Sequence, residues 1–275
     1  MADLNLHCQS MQKEQLFDLH SYVHQGVFNA YSAYRKEALN WWMDPKNETS
    51  NLGLDQTTAR AMSTGHRGER GPVALYESWA DVQLAKAAAD PHLLDMMHNR
   101  EGFEAWHAEL TESLVAHWRA RVNENNELLR RSEGDKFFPV EPELSIAHRY
   151  KMVDLFVRYI RVRAKDYPEL AQRCYEYGHI PLDRKSLAVI SAAFCGIGLG
   201  ADFSMRDITS VVMYHTYQRL ALAMCSEAGG TPLLLDVFAL NAPYAQQLYA
   251  KRQSKPTRKG WRRANAKAAT TASVS

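Results

Sequence analysis

Apolar and aromatic positions recur at spacings of three and four through residues 11–43, with Leu16, Leu19, Tyr22, Val23, Val27, Ala30, Tyr34 and Ala38 in step. That period predicts an amphipathic helix, which Asp44-Pro45 should end. Residues 45–72 are rich in Asn, Thr, Gly and Arg and read as a long loop. Helical periodicity resumes over residues 73–88 and again over 91–131, where Pro91 suits a first turn and Ser132 to Asp135 make a break. The segment ELSIAHRYKMVDLFVRYIRVRA differs, because its apolar residues, Met152 to Val162, cover nearly every face and so predict a helix buried within the protein. After Gly178-His179-Ile180-Pro181, Asp183 stands where an N-cap is wanted. Two more helices are expected over 206–227 and 232–251, separated by Gly229-Gly230. No stretch has the short alternating runs of a β-protein, so the expected class is all-α.

Composition sharpens this picture. The chain has 275 residues, 46% of them hydrophobic, enough for a substantial core. Its four cysteines, Cys8, Cys174, Cys195 and Cys225, are widely spaced with no C-x-x-C pair, and are expected to be reduced thiols outside any zinc site or disulfide framework. No apolar run approaches the roughly 20 residues of a membrane span, and the first residues lack the basic-then-apolar order of a signal peptide. A cytoplasmic protein without membrane contact is expected. Charge is uneven: residues 251–275 hold eight Lys or Arg and no acid, which leaves 25 basic against 31 acidic residues elsewhere, a net of about −6. The expected organisation is a helical domain over 1–250 and a basic, disordered tail over 251–275.

Lys151 is the anomaly in the apolar helix. An ammonium there must either snorkel to the surface or be held in a site, and desolvation favours the neutral, nucleophilic amine. A neutral amine attacks a sugar C1′ and forms a Schiff base once the base has left. It needs a carboxylate nearby to take a proton and to stabilise oxocarbenium character. Asp183 can supply one if a helix and a turn return the chain; a snorkelling Lys and an ordinary N-cap explain the same residues.

The run from Tyr150 to Ile160, YKMVDLFVRYI, followed by HIPLDRKSL over 179–187, resembles the active-site region of the helix-hairpin-helix DNA glycosylase superfamily. It is most similar to the branch around the archaeal 8-oxoguanine glycosylase and to bacterial phage-defence glycosylases. In that branch a Lys precedes the Asp of a Pro-Leu-Asp turn by about 32 residues, and Lys151 and Asp183 are 32 apart. The similarity covers about residues 144–240, including Tyr214 to Ala221 and Thr231 to Asp236. Tyr150 stands where the relatives carry Gln, Arg158 replaces a second Lys, and no glycine-rich hairpin precedes Lys151.

The resemblance implies a two-subdomain helical fold with the active-site cleft between subdomains. It implies an enzyme that flips out and excises a modified base from double-stranded DNA as a monomer, with Lys151 and Asp183 catalytic and no cofactor or metal. Lys151 or a water would capture C1′. Glucosylated hydroxymethylcytosine in viral DNA is one substrate it suggests, 8-oxoguanine another. Arg149, Arg158 and Lys185, beside the catalytic pair, are candidates for DNA contact, as are Arg258, Lys259 and Trp261 in the tail. Trp41 and Trp42, with Trp79, Trp106 and Trp118, are candidates to wall a base pocket, although any single Trp is more often core. Two other classes compete. One is a non-enzymatic helical DNA-binding protein. The other is a di-metal carboxylate protein, because Glu104 to His107 and Glu176 to His179 are both E-x-x-H, a spacing weakened in the second copy by Gly178 and Pro181.

Overall fold

A computed structural model describes residues 19, 21–47, 54, 58–59, 61–163, 165–195 and 204–253. Every longer regular element among them is an α-helix: α1 (Gln25–Met43), α2 (Pro72–Ala89), the short α3 (Leu93–Met96), α4 (Arg100–Glu133), α5 (Ile146–Tyr159), α6 (Pro168–Tyr177), α7 (Arg184–Ala193), α8 (Val211–Glu227), α9 (Pro232–Asn241) and α10 (Pro243–Gln253).

Local chemistry sets most of these ends. Asp44 caps α1 at its C-terminus, as expected, while the proposed start of that helix near residue 11 lies outside the described residues. Two boundaries differ from the periodicity. The stretch 91–131 is not one helix, because the Asn99 side chain accepts from Gly102 N–H (2.9 Å) and starts α4 afresh after α3. Likewise Pro243 interrupts 232–251, since it lacks the N–H that would continue α9 and instead opens α10. α4 runs through Ser132 to Glu133, and Gly134 ends it with a positive φ of 56°.

Two large hydrophobic clusters form the interior. The first joins α2, α4, α5 and α6, with Trp79, Trp106 and Trp118 inside it. The second joins α1, α7, α8, α9 and α10 around Tyr31, Ile190, Tyr217 and Phe238. A smaller cluster seats Ala38 and Trp42 of α1 on Leu233, Leu234 and Val237 of α9. Cys174 and Cys225 are buried free thiols, and burial pushes Cys225 up to about 12. No single helix among the described residues is long and apolar enough to cross a membrane.

α5 lies at the seam between the two large clusters. Ala147 packs with the second, while Met152, Val153, Leu155, Phe156 and Val157 pack with the first. The link from α6 to α7 crosses the same seam in extended form, and residues 179–182 are buried. Gln218 of α8 holds it as a strand partner would: Ile180 N–H donates to Gln218 Oε1 (3.0 Å) and Gln218 Nε2 donates to the Ile180 carbonyl (2.9 Å). Replacing Gln218 by Leu strands both backbone groups in the interior, at about 1–3 kcal/mol for each. Urea unfolding of Gln218→Leu should therefore show a loss of about 2–4 kcal/mol, and a loss below about 0.5 kcal/mol would mean that this amide does not pin the link.

Candidate functional site

α5 carries three charged groups, Lys151, Asp154 and Arg158, along one side. Lys151 and Arg158 are seven residues apart, two helical turns. Lys151 is only 7% exposed, and its Nζ donates to the Thr58 hydroxyl (2.6 Å). It does not snorkel. Arg158 is paired at 2.6 Å with Asp236 of α9. Burial pushes the Asp236 carboxyl above its ordinary value; Arg158 opposes that shift, the Asp183 charge adds to it, and Lys151 opposes it. Lys151 and Asp183 thus both act on Asp236, and no hydrogen bond or ion pair joins the two to each other among the described contacts.

Asp183 is the N-cap of α7. Its Oδ1 accepts from Lys185 N–H (2.7 Å) and Ser186 N–H (2.9 Å), while Asp183 N–H donates to Ser186 Oγ (2.8 Å). This capping box fixes the carboxylate at the positive end of a helix.

On the same side of α5, three residues after Lys151 and four before Arg158, Asp154 anchors a buried polar network. Its Oδ1 accepts from the Tyr214 hydroxyl (2.7 Å) and lies 2.9 Å from His107 Nε2. The Tyr214 oxygen is 2.8 Å from His179 Nδ1, and His179 Nε2 is 2.7 Å from Glu104 Oε1. Asp154 is 0% exposed, yet its Oδ2 has no hydrogen-bond partner. The rings are held by stacking: Tyr150 and Tyr214 are 4.0 Å apart between centroids, and His107 and His179 meet edge to face at 4.6 Å. Burial pushes the Tyr214 phenol up, and the adjacent Asp154 charge adds to it.

The network ends at a cavity of about 760 Å³, walled by Glu104, Arg149, Tyr150, His179, His215 and Arg219 among others. Neither Lys151 nor Asp183 lines it. Burial by itself would push Glu104 up, but the His179 charge and hydrogen bond, with His107 and His215, bring it down from 4.5 to about 2. Burial, reinforced by His179, pushes His215 down from 6.5 to about 4.

Several expected site residues have other work. Arg158 is paired with Asp236, a buried carboxylate that requires a counter-charge. Trp42 is buried against α9, and Trp41 is half-buried; the Arg161 guanidinium lies over both rings, at 4.9 Å from Trp41 and 5.1 Å from Trp42. Trp79, Trp106 and Trp118 pack within the first hydrophobic cluster rather than around the cavity. Arg149 walls the cavity and donates to the Leu144 carbonyl (2.9 Å), and Lys185 is half-buried at the α7 cap. Arg258, Lys259 and Trp261, and all but the first three residues of the basic tail, lie outside the described residues. The two E-x-x-H spacings do not make two matched pairs: Glu104, His107 and His179 converge, whereas Glu176 pairs with Arg173 (3.2 Å).

Asp154, Asp236 and Tyr214 are site residues that the sequence reading did not single out. A carboxylate inside MVDLFV or PLLLDVFAL is as anomalous as Lys151, and that signal was available for the two acids. Compared with protein-family models, curated proteins and solved structures, the chain matches none. Function is therefore argued from these residues and from the local resemblance around Lys151 and Asp183.

The pH dependence follows from the two depressed groups. Each is lower in the folded protein than in the unfolded chain, so each contributes stability at higher pH that is lost on acidification. His215 loses its contribution as pH falls from 6.5 through 4, and Glu104 as pH falls from 4.5 through 2. The unfolding free energy of His215→Asn should be flatter than wild type in the first window, and that of Glu104→Gln in the second. Profiles parallel to wild type would contradict the assignments.

Proposed function

We propose that the protein is a DNA glycosylase that excises a modified base, with Lys151 as nucleophile and Asp183 as the carboxylate that assists departure of the base. The observation that carries this is an amine buried in an apolar helix, in a segment whose resemblance pairs it with a carboxylate fixed on a helix N-terminus. Burial strengthens electrostatic interactions within the site. A lysine kept there at the expense of its hydration needs a reason, and attack on a sugar carbon provides one.

In the reaction, the flipped nucleotide presents C1′ to the seam beside α5. The glycosidic bond breaks with its electrons leaving on the base, and the Asp183 carboxylate stabilises the positive charge that grows on the sugar. The lone pair of Lys151 Nζ closes on C1′, and the proton that the amine gives up passes by way of the Asp183 carboxylate to the departing base. Ring opening then yields a Schiff base, from which loss of a C2′ proton expels the 3′-phosphate and cuts the strand. The hydrogen bond to Thr58 uses an N–H of Nζ and so persists while the amine lone pair attacks. The bipartite hydrophobic interior, with α5 at its seam, suits the two-subdomain arrangement that such chemistry needs, and a cytoplasmic, monomeric enzyme acting on double-stranded DNA fits the reading.

The test is incubation with duplexes carrying ordinary, oxidised or glucosylated bases, followed by alkali to cut abasic sites. Strand breaks are expected on at least one modified duplex. Asp183→Asn, chosen because Asn is itself a good N-cap, should fold normally and lower the excision rate by about 10²–10⁴-fold. Breaks that persist in Asp183→Asn, or no breaks on any duplex, would overturn the proposal.

A further inference from the structure

We propose that His107, Asp154 and His179 hold one divalent transition-metal ion, of the class that takes mixed imidazole and carboxylate ligands, such as Zn²⁺ or Fe²⁺. One ligand atom from each of the three lies within 4.8 Å of the others. His107 Nε2 and His179 Nδ1 stand 2.9 and 3.9 Å from Asp154 Oδ1, spacings that bracket the separation of neighbouring ligands on an ion with bonds of about 2.1 Å. Two imidazoles and a carboxylate suit zinc or ferrous iron and disfavour Mg²⁺ and Ca²⁺, which prefer oxygen alone.

Two further observations point to a cation. The first is the orphan oxygen: Asp154 is wholly buried, and its Oδ2 has no donor. An uncompensated carboxylate oxygen is costly in an interior, and an ion beside it removes the cost. The second is the support behind His179. Its Nδ1 faces Asp154 and Tyr214, while Nε2 is turned to the Glu104 carboxylate at 2.7 Å. A metal-bound histidine characteristically hands its far N–H to a carboxylate in this way, which fixes the tautomer and the ring plane. Glu104 is thus a positioning residue. The Tyr214 hydroxyl donates to Asp154 Oδ1 (2.7 Å) and lies 2.8 Å from His179 Nδ1, so it must turn aside for these two atoms to close on the ion.

The ion would tie α4, α5 and the α6–α7 link across the seam between the two hydrophobic clusters. Glu104 and His179 reach the cavity wall, giving the ion a path in from solvent. The inference is independent of the glycosylase proposal, since Lys151 and Asp183 take no part in the site.

The test uses the whole chain, stripped with a chelator and titrated with Zn²⁺ alone. One equivalent should bind, and at a hundredfold excess over Kd the melting temperature should rise by about 5–10 °C. His107→Gln, His179→Gln and Asp154→Asn should each weaken binding at least about a hundredfold, Glu104→Gln by about 10–100-fold, and Lys151→Gln not at all. Mg²⁺ alone should give no shift. Where a variant does not fold, the wild-type protein decides: Co²⁺ alone should give the visible absorption of a nitrogen- and oxygen-ligated ion, and Zn²⁺ should abolish it one for one. Failure to bind Zn²⁺, unchanged affinity in the folded ligand variants, or a Co²⁺ spectrum identical to the hydrated ion would overturn the proposal.

Discussion

The burial of charge along α5 is the constraint on which the rest depends. A helix that carries Lys151, Asp154 and Arg158 into a hydrophobic interior is tolerated only if each charge finds a partner there, because isolated buried ions cost several kcal/mol. Those partners come from distant parts of the chain. Thr58 meets Lys151, Asp236 meets Arg158, and His107 with Tyr214 meets Asp154. Meeting them fixes α4, α8, α9 and Thr58 against one helix, so satisfying the charges and assembling the seam are the same event.

The three charges of α5 then lead to different surroundings. Lys151 meets the Thr58 hydroxyl and Arg158 meets the buried Asp236. Asp154 joins a relay of rings and carboxylates that ends at a cavity and leaves one anionic oxygen unsatisfied. His179 and Asp183 belong to the same short link between α6 and α7, which Gln218 and the Ser186 capping box hold at either end.

Much of the fold was legible because its signals are local. Period, caps and breakers located the end of α1, the whole of α2, the buried α5 and the N-cap at Asp183. The break at Asn99 and the one at Pro243 were also written locally, but apolar periodicity on both sides outweighed a single capping or N–H-lacking residue. The Asp154 network was not legible as a whole. It draws on positions 104, 107, 154, 179 and 214; the E-x-x-H spacings marked Glu104, His107 and His179, and the apolar helix marked Asp154, but nothing local joined them. Trp42, Trp79, Trp106 and Trp118 illustrate the opposite difficulty. Residue type says that a tryptophan will be buried, but not whether a core or a pocket will bury it, and here the hydrophobic clusters take all four.

The assignment of Lys151 as nucleophile is tested most directly by trapping. Duplex DNA with a single abasic site is incubated with the protein and sodium borohydride, and the adduct is digested and mapped by mass spectrometry. A reduced Schiff base on Lys151 is the predicted result. An adduct on any other amine, or none, would contradict it.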